Sequence, residues 1–328
     1  MTQITIGSEL ECGAIDAAGK PIDVLAAVNG GLSTGNPFEE VTGDMSLYSM
    51  ELVTGIADSR RALETSFDRL LALVPRGITL LYESQPFGSP VPLANKSRVA
   101  AVSAALAREH PRKGEKGVGQ VAPWNATQFH LGVKGRTFRS PEGMCFRDFL
   151  EGCGPHARIR TNVAFGLRGW KHHQRCWYGF SHCSRVPDQR RFGTPEELDR
   201  YLGTIPKLVT KRGSDWIMAA PGLMSSLEDP ESMGTIWWAA RPRIWPDGSE
   251  TVEWRVFESM PPSQASQLGA MVLALAHDFW SYVDDHPEAD WTQDVWRDRV
   301  HAHCAQWHPL LVPERPLTRT EWLRMICL

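Results

Sequence analysis

The segment Thr5–Asp16, TIGSELECGAID, sets two glutamates two positions apart in an apolar stretch. Side chains alternate faces along a strand, so Glu9 and Glu11 share one face with Thr5 and Gly7, while Ile4, Ile6, Ser8, Leu10 and Cys12 share the other. Two carboxylates roughly 7 Å apart repel each other unless a cation lies between them. Three further segments repeat the pattern. SMELVTG sets Glu51 opposite Met50 and Leu52, and NATQFHLGV sets Gln128 and His130 opposite Thr127, Phe129, Leu131 and Val133. TVEWRVF sets Glu253 and Arg255 opposite Val252, Trp254 and Val256. A solvated sheet face is ordinarily lined with Lys, Thr and Ser. These four segments instead gather glutamate, amide, imidazole and guanidinium, with no lysine among them. Oxygen-rich clusters without thiolate suit hard cations, Mg²⁺ or Mn²⁺, and Mg²⁺ keeps several waters and binds substrate phosphates as well.

Such residues need a sheet to bring them together and helices to cover its apolar side. Alternation predicts strands at Ile4–Cys12, Ser49–Val53, Ile78–Tyr82, Thr127–Val133, Thr235–Ala240 and Thr251–Phe257. Helical spacing of Leu63, Phe67, Leu70, Leu71 and Val74 predicts a helix over Asp58–Val74, and a second is expected at Ala94–Glu109. Thr194, Pro195 and Glu197 form a helix start signal before the stripe Leu198, Tyr201, Leu202 and Ile205. Ser263–Val283 carries Leu268, Met271, Val272, Leu275 and Phe279 on one side, the strongest helical pattern in the chain. With no repeat or low-complexity linker, residues 1–328 read as one α+β domain.

The composition, 42% hydrophobic and 22% charged over 328 residues, is that of a globular protein, and a net charge of −3 predicts neither nucleic-acid nor anionic-membrane partners. No apolar run reaches a membrane span and no secretory signal opens the sequence, so the expected location is cytoplasmic. Seven cysteines without a C-x-x-C pair argue against a disulfide framework and against a zinc ribbon. The Lys- and Gly-bearing stretch REHPRKGEKGVGQ lacks the spacing of a P-loop.

In order along the chain, TIGSELECGAID, SMELVTG, ESQPFG, QFHLGV, TNVAF and WWAARPRIWPDGSETVEWRV resemble the motifs of the glutamate–cysteine ligase type 2 family of ATP-dependent carboxylate–amine ligases. The resemblance covers about Thr5–Phe257 and implies a glutamine-synthetase-like catalytic domain: a curved antiparallel sheet with flanking helices, whose concave face binds ATP and divalent cations. It implies metal-binding roles for Glu9, Glu11, Glu51, Gln128 and Glu253. Arg255 matches an arginine that contacts the transferring phosphate, and Arg241 one near substrate or nucleotide. The sequence departs from the family where Gln128 stands for a histidine, Ala239 for an aspartate and Val163–Ala164 for Ser-Pro; KHHQRCW places His173 at an arginine position, with Arg175 two residues on. Substrate motifs are thus more altered than metal motifs.

The chemistry implied is transfer of the ATP γ-phosphoryl group to a carboxylate, followed by attack of an amine on the acyl phosphate. This requires positioning and charge neutralisation more than a protein nucleophile. Arg255 would stabilise charge on the phosphoryl group. His130 is open to a role as base, as orienter or as a phosphate donor. Arg160 and Asn162 are substrate-binding candidates, with Arg160 alternatively a loop support; Arg175 is either a binding group or a surface ion pair, and Glu83 either a ligand or a loop anchor. The acid and amine are small molecules or are held on a carrier or peptide, with glutamate the acid by family precedent. Two other readings stand beside this one: a guanidino-type phosphotransferase, and a non-catalytic nucleotide- or peptide-binding descendant. Lining a hydrated cavity, Glu9 and Glu253 are expected to be replaceable by glutamine without cost to the fold.

Overall fold

The computed structural model describes residues 2–83, 86–87, 92–109, 125–167, 191–226, 235–236, 238–245, 247–308 and 310–311. In chain order these form β1 (Ile4–Ile15), α1 (Val24–Ala27), β2 (Leu32–Ser33), β3 (Glu40–Gly43), β4 (Ser49–Val53), α2 (Arg60–Leu73), β5 (Thr79–Leu81) and α3 (Ser97–Glu109). There follow β6 (Ala126–Val133), α4 (Pro141–Phe165), α5 (Pro195–Leu202), β7 (Val209–Arg212), β8 (Asp215–Met218), β9 (Ala240–Ile244), β10 (Glu250–Glu258), α6 (Pro262–Asp285) and α7 (Asp294–Trp307). No helix among the described residues is long and apolar enough to cross a membrane.

The α+β class expected from the sequence is the one observed. Eight strands make one antiparallel sheet in the order β2-β3-β4-β1-β6-β10-β9, with β5 paired to one end of β1; β7 and β8 form a separate hairpin. The apolar faces read from alternation lie together. Ile4, Ile6, Leu10, Cys12, Met50, Leu52, Phe129, Leu131, Val252 and Trp254 are all buried in one core. Helices α2, α4 and α6 cover this side. Gly269 of α6 comes so close that an added Cβ would stand 2.6 Å from Leu63 and 3.3 Å from Phe129. Gly154 brings α4 equally close to Val256.

Local start signals act as expected. Ser59 caps α2 by accepting from the Ala62 amide at 3.3 Å, and Thr194 caps α5 by accepting from the Glu197 amide at 3.3 Å. Helix α3 begins at Ser97 instead of Ala94; the preceding residues pair with the β3–β4 connection, Leu93 bridging Ser46 and the Ala94 amide donating to the Met45 carbonyl at 2.8 Å.

Two assignments are corrected. The strand expected at Thr235–Ala240 is displaced to Ala240–Ile244, where Pro242 pairs with Val252 at the sheet's terminal strand; an outer edge tolerates the missing proline N–H. Alternation also breaks in β10. Trp254 pairs with Phe129 and Phe257 with Thr127, so Arg255 and Val256 together oppose Gln128 alone. This bulge carries Phe257 onto the apolar side, its ring 4.9 Å from Trp254 and 5.6 Å from Phe129.

Candidate functional site

Cross-strand partners share a face, and the register makes one row of the polar residues. Glu11 lies opposite Glu51, which lies opposite Thr42 on β3; Glu9 lies opposite Gln128. His130 lies opposite Glu253, and Glu253 opposite Arg241 on β9. The polar positions of four strands thus meet on the side away from α2, α4 and α6.

The row divides electrostatically into two halves. On the β10–β9 side, Glu253 is fully buried and accepts a two-pronged pair from Arg241, Nε to Oε2 and Nη2 to Oε1, each at 2.8 Å. Arg255 also donates to Glu253, and Arg243 Nε stands 3.6 Å away. Burial alone would raise Glu253; Arg241, Arg255 and Arg243 override it and hold the carboxyl well below the usual range. Burial lowers Arg241 to about 9 despite its carboxylate partner. Glu253 is therefore no member of a hydrated cavity wall: replacing it would strand buried guanidinium groups, contrary to the expectation from sequence.

On the β1–β4–β3 side, positive charge is scarcer. Burial, then the nearby charges of Glu9, Asp44 and Glu11, push Glu51 well above the usual carboxylate range. Burial and Asp44 do the same to Glu11, and burial raises Asp44. Glu11 is held in place by the Ala126 amide at 2.8 Å and the Gln128 side-chain amide at 2.5 Å. Glu9 sits between the halves. Burial would raise it, but His130, 2.9 Å away through Nε2, brings it down to about 2.

The donor chemistry fits a hard divalent cation, above all on the β1–β4–β3 side. Three crowded carboxyls there, Glu11 buried and Glu51 and Asp44 half-buried, resist ionising together, and a divalent cation is the species that would let them do so. Ligand atoms of Glu9, His130 and Glu253 also lie within 4.8 Å of one another. Glu253 would reach such a cation only by loosening its arginine fork. Gln128 is similarly engaged, accepting from Arg255 at its carbonyl while donating to Glu11.

Residues that single-strand reading missed complete the surroundings. Asp44 follows Thr42 by two positions at the end of β3, and Arg243 follows Arg241 by two on β9; both spacings are period-two signals. Lys96 donates to the Gly43 carbonyl, and burial, then Arg243, lower Arg98 on α3 against the opposing pull of Asp44, Glu51 and Glu9. No local pattern announced Lys96 or Arg98, since a loop and a helix bring them in from outside the sheet.

The remaining candidates lie elsewhere. Arg160 and Asn162 are buried near the end of α4, the helix that packs on the Trp254 side of the sheet. Both polar side-chain atoms of Asn162 lack a hydrogen-bond partner among the described residues. Glu83 is exposed just beyond β5, its carbonyl accepting from the Asn125 side chain at 3.2 Å. Arg175 lies outside the described residues. Cys12, Cys145, Cys153 and Cys304 are buried free thiols.

A cavity of about 930 Å³ opens beside Glu9 and His130 and runs along the ends of β1, β6 and β10. Of the row, Glu9 and His130 line one end of it, so a ligand there would lie against those two side chains.

No protein-family model and no curated protein matches the chain by sequence. Among solved structures, 99% of the chain aligns with 44% of a bifunctional glutathione synthetase from Pasteurella multocida, at 12% identity and a TM-score of 0.45. It also aligns over 99% of its length with 77% of a glutamate–cysteine ligase from Francisella tularensis in complex with AMP, at 12% identity and a TM-score of 0.48. The chain spans less than half the length of the first of these proteins. Function is therefore read from the residues of the site.

Proposed function

We propose that this chain is an ATP-dependent carboxylate–amine ligase that forms an amide bond through an acyl phosphate and releases ADP and phosphate. The observation that carries the reading is the divided row: crowded carboxyls short of positive charge at Glu11, Glu51 and Asp44, adjoining the buried Arg241 and the partly buried Arg243 and Arg255 gathered on Glu253. A site that only bound an anion would have no use for the first half, and one that only bound a metal would have no use for the second.

Glu9, Glu11, Glu51 and Asp44 are the residues that would hold Mg²⁺ or Mn²⁺, with Gln128 and Glu253 at the boundary. Either ion, when bound, supplies neutralisation of triphosphate charge. Arg255, anchored by Glu253 and Gln128, places a fixed positive charge beside that region and stabilises the phosphoryl group in transit. Arg241 locks Glu253 and thereby fixes where Arg255 points. His130, hydrogen-bonded to Glu9, orients that carboxylate and is the imidazole at this end of the row available to take up the amine's proton. The order of motifs along Thr5–Phe257, similar to that of the glutamate–cysteine ligase type 2 family, supports the same reading and makes glutamate the first acid to try.

The test is an ATP-consumption screen over acid and amine pairs with Mg²⁺, read by mass spectrometry. ADP, phosphate and a condensation product in equal amounts are expected. AMP and pyrophosphate would mean acyl-adenylation and would overturn the role given to Arg255.

A further inference from the structure

Beside the charged row, the 930 Å³ cavity has a character that ATP and metal do not account for. Its walls include Phe38 and Ile56, apolar side chains that are 43% and 63% exposed, together with Val53 and Trp245. Exposed apolar side chains are ordinary singly, but here they line one concave wall, and pockets of this size bury ligands far larger than a two-heavy-atom amine. The charge around the cavity is chiefly negative. Glu9, hydrogen-bonded to His130, lies at its inner end; Glu250 on its wall pairs with Arg139, and Glu40 and Asp247 pair with no cation among the described residues. Of the lining cations, Arg136 is tied to Asp284 at 2.5 Å and lies 5.4 Å over the Trp280 ring, while Lys134 stands exposed at the rim. An acid substrate would meet repulsion here. A cation with an apolar body would find complementary charge at one end and apolar walls along its length.

We infer that this cavity is the amine subsite and that it takes a primary amine with an aryl or branched-alkyl body, its amino group at the end where Glu9 and His130 stand and its body lying against Phe38, Ile56 and Trp245. The inference rests on the ligase reading for its word "substrate", but the binding it describes does not require turnover. Discrimination by such a wall is of the order of tenfold or more for each buried apolar contact.

Isothermal titration of the whole chain with phenethylamine, 3-phenylpropionate, methylamine and cysteine tests it, without ATP and then with the non-hydrolysable analogue AMP-PNP and Mg²⁺. Phenethylamine is expected to bind most tightly, by at least about tenfold over each of the others. Ile56→Ser and Phe38→Ala, both at exposed positions that leave the core untouched, should each weaken it by about tenfold and narrow its margin over methylamine. Equal or tighter binding of 3-phenylpropionate would overturn the charge assignment. Equal binding of methylamine or cysteine, indifference to both variants, or no binding of phenethylamine would overturn the apolar-body assignment. Phenethylamine bound as described, but with no amide formed from any acid offered with ATP, would support the subsite while contradicting the ligase reading.

Discussion

Replacing Glu253 by glutamine keeps the side chain's shape and removes its charge. The carboxylate is fully buried and serves Arg241 through two 2.8 Å hydrogen bonds, with Arg255 also bonded and Arg243 at 3.6 Å. The amide offers one acceptor where two were used and turns an N–H₂ group toward guanidinium donors. Removing one partner of a buried pair typically costs about 3–5 kcal/mol, because the other charge is left without compensation. For a chain of this size that corresponds to a fall in melting temperature of roughly 4–7 °C. Glu51→Gln is the matched contrast. Burial and neighbouring carboxylates push Glu51 well above the usual range, so it is held toward its uncharged form and the amide replaces a near-isostere. Its metal-free melting temperature should hold or rise. Addition of Mg²⁺ and ATP should stabilise the wild type by ligand linkage and Glu51→Gln by less. Paired thermal scans, with and without Mg²⁺–ATP, decide the matter. If Glu253→Gln melts with the wild type, or Glu51→Gln melts early in the absence of metal, the division of the row into neutralised and under-neutralised halves is wrong.

Three further outcomes follow from the same structure. Trp254→Ala, which empties a fully buried position on the opposite face, should cost about 3–5 kcal/mol whether or not nucleotide is present, measured by denaturant unfolding; a wild-type midpoint would mean the faces of β10 are reversed. Burial lowers His308 from 6.5 to about 4, so its contribution is complete above pH 6.5 and is lost as pH falls toward 4, by about 3 kcal/mol; His308→Gln should flatten that part of the stability profile, and superimposable profiles would refute it. Activity should vanish after EDTA treatment and return with Mg²⁺ or Mn²⁺, and undiminished turnover in EDTA would remove the cation from the account.

The charged row was legible because it depends on a local rule. Period-two alternation in four segments placed Glu9, Glu11, Glu51, Gln128, His130 and Glu253 on polar faces, and antiparallel register brought those faces together. What alternation cannot carry is which carboxylate is paired. Arg243 and the arginine fork on Glu253 depend on β9, whose Pro242 disguised it as a non-strand. Asp44 sits at a turn, Lys96 arrives from the loop before α3, and Arg98 from α3 itself. Helix α4 gave no amphipathic signal either. It is buried on most sides and contains Gly152, Gly154 and Pro155, residues of low helix propensity, although Ser140 and Gly166 cap it in the ordinary way. Tertiary packing against Trp254 and Val256 overrides that propensity.

The central claim is that a substrate carboxylate takes up the γ-phosphoryl group of ATP before an amine displaces it. Glutamate carrying ¹⁸O in its γ-carboxylate, incubated with the protein, ATP, Mg²⁺ and phenethylamine, tests it most directly through the isotopic mass of the phosphate released. Transfer through an acyl phosphate moves one carboxylate oxygen into each phosphate formed, so singly labelled phosphate should appear in step with amide. Unlabelled phosphate alongside amide, or label recovered in AMP, would contradict the account.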